Sequence, residues 1–420
     1  MSLQNNLNKE KDMDNFNNVI GYQWVKEELL NICDIIKNPS IYKKLSVTVP
    51  RGIMLSGPPG VGKTKMAQAF INECGLPSYV IKKSKCKDEF LKEMEKTFEE
   101  AKFSAPSVIL LDDMDKFPTD SFDIQEYAVV QSCMDSVKDS NVFVIATVNK
   151  TNEIPKSLLR AGRFDNILQV EPPQGQDAVD VIKYYLSIKN LSENEDYEDI
   201  IKMLVGATCA EIEVIINSAG LLAGSERCEK ISKRHLVKAY TLEKKGADFD
   251  SEEGKRNLAY HEAGHAIIAE ALKKESVSIV AIVADKEKGD RGFVKVWDVL
   301  RTADENILYA LGGVGAEEIA LGVRKGGSKS DIEKAVRLIK EKSFCGEYGF
   351  EFVEYRKDIS NEKLFAWENL IKSELSRYLT EVKKILASKS DLLDELATEI
   401  MNKNTLLFSD VQRLMKKYKK

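Results

Sequence analysis

Three short, almost wholly apolar runs stand out along the first part of the chain: Gly52-Ile53-Met54-Leu55-Ser56, Val108-Ile109-Leu110-Leu111 and Val142-Phe143-Val144-Ile145-Ala146-Thr147. Brief runs this uniformly apolar predict strands covered on both faces, as in a parallel sheet. Between them lie amphipathic stretches such as Lys65 to Cys74, which reads as a helix ending at Gly75. The alternation over 16–172 therefore predicts an α/β core. After Pro172-Pro173 the pattern turns helical through about Lys244, giving a small helical unit over 173–246. The acidic, Gly-containing stretch from Gly246 to Gly254 breaks it, and a linker is expected over 247–256. From 257 to 420 the pattern is mainly helical, with two strands expected at Val277 to Val283 and Gly292 to Val296. Asn257 to Leu272, rich in Ala, Leu and Ile and free of Pro, reads as a helix. Leu375, Leu379, Val382 and Leu386 share one helical face and predict core packing. There is no internal repeat and no low-complexity segment.

Length and composition set limits on this picture. A chain of 420 residues accommodates two or three domains with their own cores. A net charge of −5 argues against nucleic acid as the main partner. The seven cysteines include no Cys-x-x-Cys, which predicts a reduced, cytoplasmic protein without a cysteine metal site. No signal peptide is seen, and no apolar run approaches the roughly 18 residues that span a bilayer. The polar leader Met1 to Asn15 is expected to lack fixed structure, and the lysines at 416, 417, 419 and 420 to be a solvated tail.

Chemistry enters with two words. Two of the three histidines fall in His261-Glu262-Ala263-Gly264-His265, inside the expected helix. A spacing of four puts both imidazoles on one face, where they can share a metal. Glu262, one residue on, can reach a metal-bound water and take its proton. The other word is Gly57-Pro58-Pro59-Gly60-Val61-Gly62-Lys63-Thr64, between an apolar strand and a helix. That context is the one a phosphate loop requires: backbone N–H groups and a helix N-terminus surround the phosphates. Lys63 should meet the β- and γ-phosphates, and Thr64 should hold Mg²⁺. The apolar run 108–111 ends in Asp112-Asp113, a Mg²⁺ carboxylate followed by a water-activating one, and the third run leads to Asn149, aimed at the same crevice.

For a third metal ligand the residues leave two candidates. Glu317 or Glu318 falls on an expected helix from Asn306 to Leu321, downstream of the histidines. Asp331 begins another helix, where Ser330 with Glu333 resembles a capping box and Asp331 would merely favour the dipole.

From Phe16-Asn17-Asn18-Val19-Ile20-Gly21 onward the chain resembles the FtsH-type AAA+ zinc metalloproteases. The resemblance rests on Gly57–Thr64, Leu110–Asp113, Ser157-Leu158-Leu159-Arg160-Ala161-Gly162-Arg163-Phe164-Asp165 and Tyr260–Ala266. Gly312-Gly313 with Ala316-Glu317-Glu318-Ile319, and Ser330-Asp331-Ile332-Glu333-Lys334-Ala335, extend it in colinear order. It implies an AAA+ P-loop ATPase core of the α/β class, a helical lid, and a mainly α-helical zinc metallopeptidase domain. It also implies that Asp331 completes the zinc site, that Ile20 and Gly21 contact nucleotide, and that Arg160 and Arg163 reach the nucleotide of a neighbouring subunit in a homohexamer. The implied cofactors are one Zn²⁺ per subunit and ATP with Mg²⁺; the implied partners are protein or peptide substrates. Such relatives carry transmembrane helices ahead of the ATPase, whereas here the ATPase follows the leader directly, as in a soluble relative or a shortened chain.

Two departures qualify these expectations. The family's Asp-Glu is Asp112-Asp113 here, one methylene shorter at the water-activating position, so slow ATP hydrolysis is expected. The segment Lys82-Lys83-Ser84-Lys85-Cys86-Lys87-Asp88-Glu89-Phe90 lacks the aromatic-x-Gly that grips polypeptide, so weak unfolding is expected. The reading is an ATP-dependent zinc endopeptidase with Glu262 as general base. Its alternatives are a zinc peptidase with a weak or regulatory ATPase ring, and a remodelling protein with structural zinc. The last is disfavoured because a closed structural site wants a fourth ligand.

Overall fold

The computed structural model describes residues 15–46, 49–83, 87–118, 125–160, 162–164, 166–242, 248–284, 290–297, 300, 302–322, 328–344 and 361–418. The leader up to residue 14, the stretches 84–86 and 243–247, Ala161, Asp165 and the last two lysines lie outside the described residues. Two compact units emerge, one within Met1–Lys189 and Val205–Asn217, the other within Asn190–Leu204 and Ser218–Lys420.

The first unit opens with α1 (Gln23–Lys37) and α2 (Pro39–Lys44), then β1 (Gly52–Ser56) and α3 (Lys63–Cys74). It continues through β2 (Ser78–Lys82), α4 (Lys87–Phe103), β3 (Ser107–Asp112), α5 (Gln125–Ser136), β4 (Val142–Val148), β5 (Asn166–Gln169) and α6 (Gly175–Ser187). All pairings are parallel, in the order β2-β3-β4-β1-β5. Every residue of β1, β3 and β4 is buried, which is why these three read as almost wholly apolar runs. In β2 only Ile81 is buried, as befits an edge strand, and its pattern carries no comparable signal. The C-terminal ends of β1, β3 and β4 lie side by side, bringing the phosphate loop, Asp112 and Asn149 to one edge.

The helical stretch after Pro173 contributes to both units. It contains α7 (Glu198–Leu204), α8 (Cys209–Ser225) and α9 (Lys233–Thr241).

The second unit is built around α10 (Glu252–Leu272), which starts five residues earlier than the apolar pattern suggests. Ser251 caps it by accepting the Gly254 N–H at 2.9 Å. Next come β6 (Val277–Val283), β7 (Arg291–Val296), α11 (Ala303–Ala310), α12 (Gly312–Ala320) and α13 (Lys329–Phe344). The chain ends with α14 (Asn361–Ala387), α15 (Ser390–Lys403), β8 (Thr405–Leu407) and α16 (Phe408–Lys417). The three strands form an antiparallel sheet ordered β7-β6-β8. The core joins Ala259, Ala263 and Ala266 of α10 with Val382 and Leu386 of α14 and Leu396 and Ile400 of α15. Where one helix was expected from Asn306 to Leu321 there are two, meeting at Leu311. Ser330 lies inside the first turn of α13 rather than capping it.

Candidate metal and nucleotide sites

His261 and His265 project from the same face of α10, and both are buried. Their Nε2 atoms are 3.1 Å apart. Asp331, in the first turn of α13, brings Oδ2 to 3.0 Å from Nε2 of His261 and 3.5 Å from Nε2 of His265. A tetrahedral zinc with bonds of about 2.0–2.1 Å keeps its ligand atoms about 3.3–3.4 Å apart, so this triangle fits the ion. The far ring nitrogens agree. Nδ1 of His265 donates to the carbonyl of Tyr309 at 2.8 Å, which leaves Nε2 with its lone pair. Nδ1 of His261 donates to Oε1 of Glu317 at 2.9 Å, and Ser328 Oγ donates to Oε2 of the same carboxylate at 2.7 Å. Glu317 thus reaches the opposite side of the His261 ring from Asp331, orienting the imidazole and raising its basicity.

Electrostatics match this donor set. Burial works against charge on His261, but Asp331 and Glu317 outweigh it and its pKa is pushed up to about 10. Burial also opposes ionisation of Asp331, yet the two imidazoles hold its carboxyl well below the usual carboxylate range. A proton here serves as the counter-charge that a divalent ion supplies more fully. Glu262 is buried, and burial pushes its carboxyl above the ordinary value despite the opposing histidines. Two glycines make the room. A Cβ on Gly313 would stand 2.5 Å from the His261 ring, and one on Gly292 would stand 2.4 Å from Oε1 of Glu262.

At the sheet edge of the first unit, Lys63 heads α3 with its ammonium donating to the carbonyls of Gly57 and Pro58 at 2.7 and 2.9 Å and to Oδ1 of Asn149 at 3.0 Å. Asn149 in turn donates to Asp115 Oδ2 at 2.8 Å. Thr64 donates to Asp112 Oδ1 at 2.7 Å, and Thr147 to the same oxygen at 2.9 Å. Burial raises the Asp112 carboxyl, but hydrogen bonds from Lys82, Thr64 and Thr147 bring it below its ordinary value. Asp113 adopts a left-handed backbone, φ 54°, and its Oδ2 accepts from Lys116 at 2.8 Å. Ile20 and Gly21 precede Tyr22, whose hydroxyl meets Cys209 Sγ at 3.7 Å; that sulfur lies 4.0 Å from the carbonyl of Val61 in the phosphate loop.

Comparison with known proteins gives both sites a frame. Residues 53–172 match the ATPase family associated with various cellular activities (AAA), and residues 249–414 match Peptidase family M41. The chain is 30% identical to the ATP-dependent zinc metalloprotease FtsH 3 of Symbiobacterium thermophilum, over 95% of its own length and 71% of the relative's. It belongs to the FtsH family. The ATP-dependent zinc metalloprotease FtsH of Helicobacter felis is 28% identical over 98% of this chain and 71% of its own. That of Leptotrichia buccalis is 30% identical over 99% of this chain and 58% of its own. No helix among the described residues is long and apolar enough to cross a membrane.

Within the FtsH frame, the two arginines differ in their surroundings. Arg163 forks onto Asp135, Nε to Oδ1 at 3.1 Å and Nη2 to Oδ2 at 2.9 Å, whereas Arg160 is exposed. Sequence reasoning named Glu317 only as an alternative ligand, not as the carboxylate on the far side of His261, and missed the other positioning parts: Ser328 behind it, Thr147 on Asp112, and Lys82, whose ammonium lies 2.8 Å from Asp112 Oδ2. Only Glu317 had a signal, as a carboxylate downstream of the histidines.

A second group, Glu226, Cys228 and His235, brings possible ligand atoms within 4.8 Å of one another. The backbone N–H of Ser232 donates to Nδ1 of His235 at 3.0 Å, so Nε2 carries the proton and points it at Glu226 Oε2, 3.3 Å away. A protonated nitrogen has no lone pair for a metal, and His235 acts as a helix-capping residue.

Proposed function

We propose that this FtsH-family chain is an ATP-dependent zinc endopeptidase in which His261, His265 and Asp331 hold zinc and Glu262 is the general base. The observation that carries the reading is the convergence of two Nε2 atoms and one carboxylate oxygen within 3.0–3.5 Å, beside the buried Glu262. Zinc would supply Lewis acidity to the scissile carbonyl and acidify a water molecule. Glu262, its pKa raised by burial, takes the proton from the attacking water and returns it to the departing amide nitrogen. Glu317 and the Tyr309 carbonyl keep both imidazoles aimed at the ion.

In the ATPase, Gly57 to Thr64 surround the phosphates, Lys63 exchanges the loop carbonyls for phosphate oxygens, and Thr64 with Asp112 would hold Mg²⁺. Asp113 orients the attacking water, Asn149 senses the terminal phosphate, and Ile20 and Gly21 line the base. Residues 16–172 form the nucleotide core, 173–246 the lid and 257–420 the peptidase. Arg160 and Arg163 act across subunits of a ring, most simply a homohexamer, with Arg160 better exposed for that role. Free thiols at Cys33, Cys74 and Cys133 suit a reducing, cytoplasmic setting.

One feature favours a slower ATPase than the family's Asp-Glu provides. Asp113 is held by Lys116 at 2.8 Å and lies 3.8 Å from the Lys82 ammonium. The deciding experiment is degradation of an unfolded, casein-like protein with and without ATP by the wild type and Glu262→Gln. Glu262→Gln should keep zinc and lose cleavage; cleavage at the normal rate would refute the peptidase reading.

A further inference from the structure

The nucleotide reading reserves Asp112 for a divalent cation, yet a lysine already occupies it. Lys82 ends β2 directly opposite Asp112 in the parallel register. Its ammonium stands 2.8 Å from Asp112 Oδ2 and 3.8 Å from Asp113 Oδ2. The other oxygen of Asp112 accepts from Thr64 and Thr147. With Lys116 on Asp113, two carboxylates and two ammonium groups balance without any added ion. Lys82 differs from the buried Lys63 in one respect that matters: its side chain is 58% exposed, while that of its partner Asp112 is only 4% exposed. Lys82 can therefore swing into water at little cost, whereas the carboxylate cannot move. A doubly charged ion arriving at Asp112 repels a neighbouring ammonium more strongly than the remaining carboxylate attracts it.

We propose that Lys82 is a tethered counter-cation for Asp112, competing with Mg²⁺ for that carboxylate and leaving it when the nucleotide site is loaded. The inference rests on the nucleotide-site reading given above. It assigns Lys82 a positioning role: the residue keeps the Asp112 carboxylate oriented toward Thr64 until the cation binds and sets how much Mg²⁺ loading requires.

The full chain tests it without measuring turnover. Binding of a fluorescent, non-hydrolysable ATP analogue is titrated with Mg²⁺ in the wild type, Lys82→Ser and Lys82→Arg. Lys82→Ser should lower the half-saturating Mg²⁺ concentration on the order of tenfold, the scale on which one adjacent charge alters a carboxylate's ion affinity. Lys82→Arg should retain the wild-type requirement. In parallel, amine acetylation read by mass spectrometry compares Lys82 with the exposed Lys92 in the wild type. Lys82 labelling should rise several-fold with analogue plus Mg²⁺ and stay unchanged with analogue plus chelator. The same Mg²⁺ requirement in Lys82→Ser as in wild type, or labelling of Lys82 that ignores Mg²⁺, would overturn the competition while leaving the nucleotide site intact. Failure of the wild type to bind the analogue at any Mg²⁺ concentration would overturn the site reading and the inference together.

Discussion

A methyl group on Gly292 would stand 2.4 Å from Oε1 of Glu262, so the carboxylate of the proposed base fills the space of a missing side chain on β7. The strand thus positions the base. Gly292→Ala is expected to cut peptide hydrolysis about a hundredfold, the scale set by moving a catalytic group roughly 1 Å. Zinc content and nucleotide binding should be unchanged. Metal analysis alongside a casein assay checks this, and loss of zinc would show that Gly292 acts through the ligands instead.

Gly313 stands in the same relation to His261, with a Cβ 2.5 Å from the ring. Gly313→Ala should displace an imidazole that binds metal, so zinc and cleavage should fall together. Equilibrium dialysis against a zinc buffer measures the first and peptide turnover the second.

Glu317 and Asp331 touch opposite nitrogens of His261, at 2.9 and 3.0 Å. Asp331→Ala should abolish stoichiometric zinc, while Glu317→Ala should weaken its affinity roughly 10–100-fold, as loss of a ligand-orienting carboxylate does. Equal affinities in the two variants would mean that the roles are not separated as drawn.

Asp113 carries a carboxylate one methylene shorter than Glu and is held by Lys116 at 2.8 Å. Asp113→Glu is expected to raise steady-state ATP turnover several-fold at saturating Mg²⁺. A lower rate would indicate that the surrounding residues have adapted to the shorter side chain.

In the second unit Asp199 of α7 is 4% exposed and pairs with Lys233 of α9, while Ser409 of α16 donates to it through Oγ at 2.7 Å and its N–H at 3.0 Å. Burial raises this carboxyl, but these partners outweigh burial and hold it below its ordinary 3.8. A depressed folded pKa contributes stability above the unfolded value and loses it as pH falls through the folded one. Asp199→Asn should therefore lower the thermal midpoint at neutral pH, and the gap to wild type should close as pH falls below about 3.8. A gap independent of pH would assign the effect to shape rather than charge.

Much of the architecture was legible in the chain. The buried strands β1, β3 and β4 betray themselves because both faces are covered, so all but a few of their positions are apolar. The edge strand β2 and the three-residue β8 do not, because pairing with a distant partner, rather than composition, makes them strands. The break at Leu311 was equally hidden. There Gly312 approaches α10 so closely that a Cβ would stand 2.9 Å from the carbonyl oxygen of Gly264, a demand no local pattern records.

The same division runs through the sites. Sequence alone determined that His261 and His265 share a helix face and that Lys63 and Thr64 head the helix after a phosphate loop, because helical spacing and strand–loop–helix order are local properties. It could not choose between Asp331 and Glu317 from the residues themselves. Asp331 lies 70 residues from His261 and Glu317 lies 56, and both reach the same ring. Only the packing of α12 and α13 against α10 decides which carboxylate faces Nε2, beside the second histidine, and which faces Nδ1. The partner of Asp112 was decided in the same way, since Lys82 reaches it across a strand register that exists only once the sheet has formed.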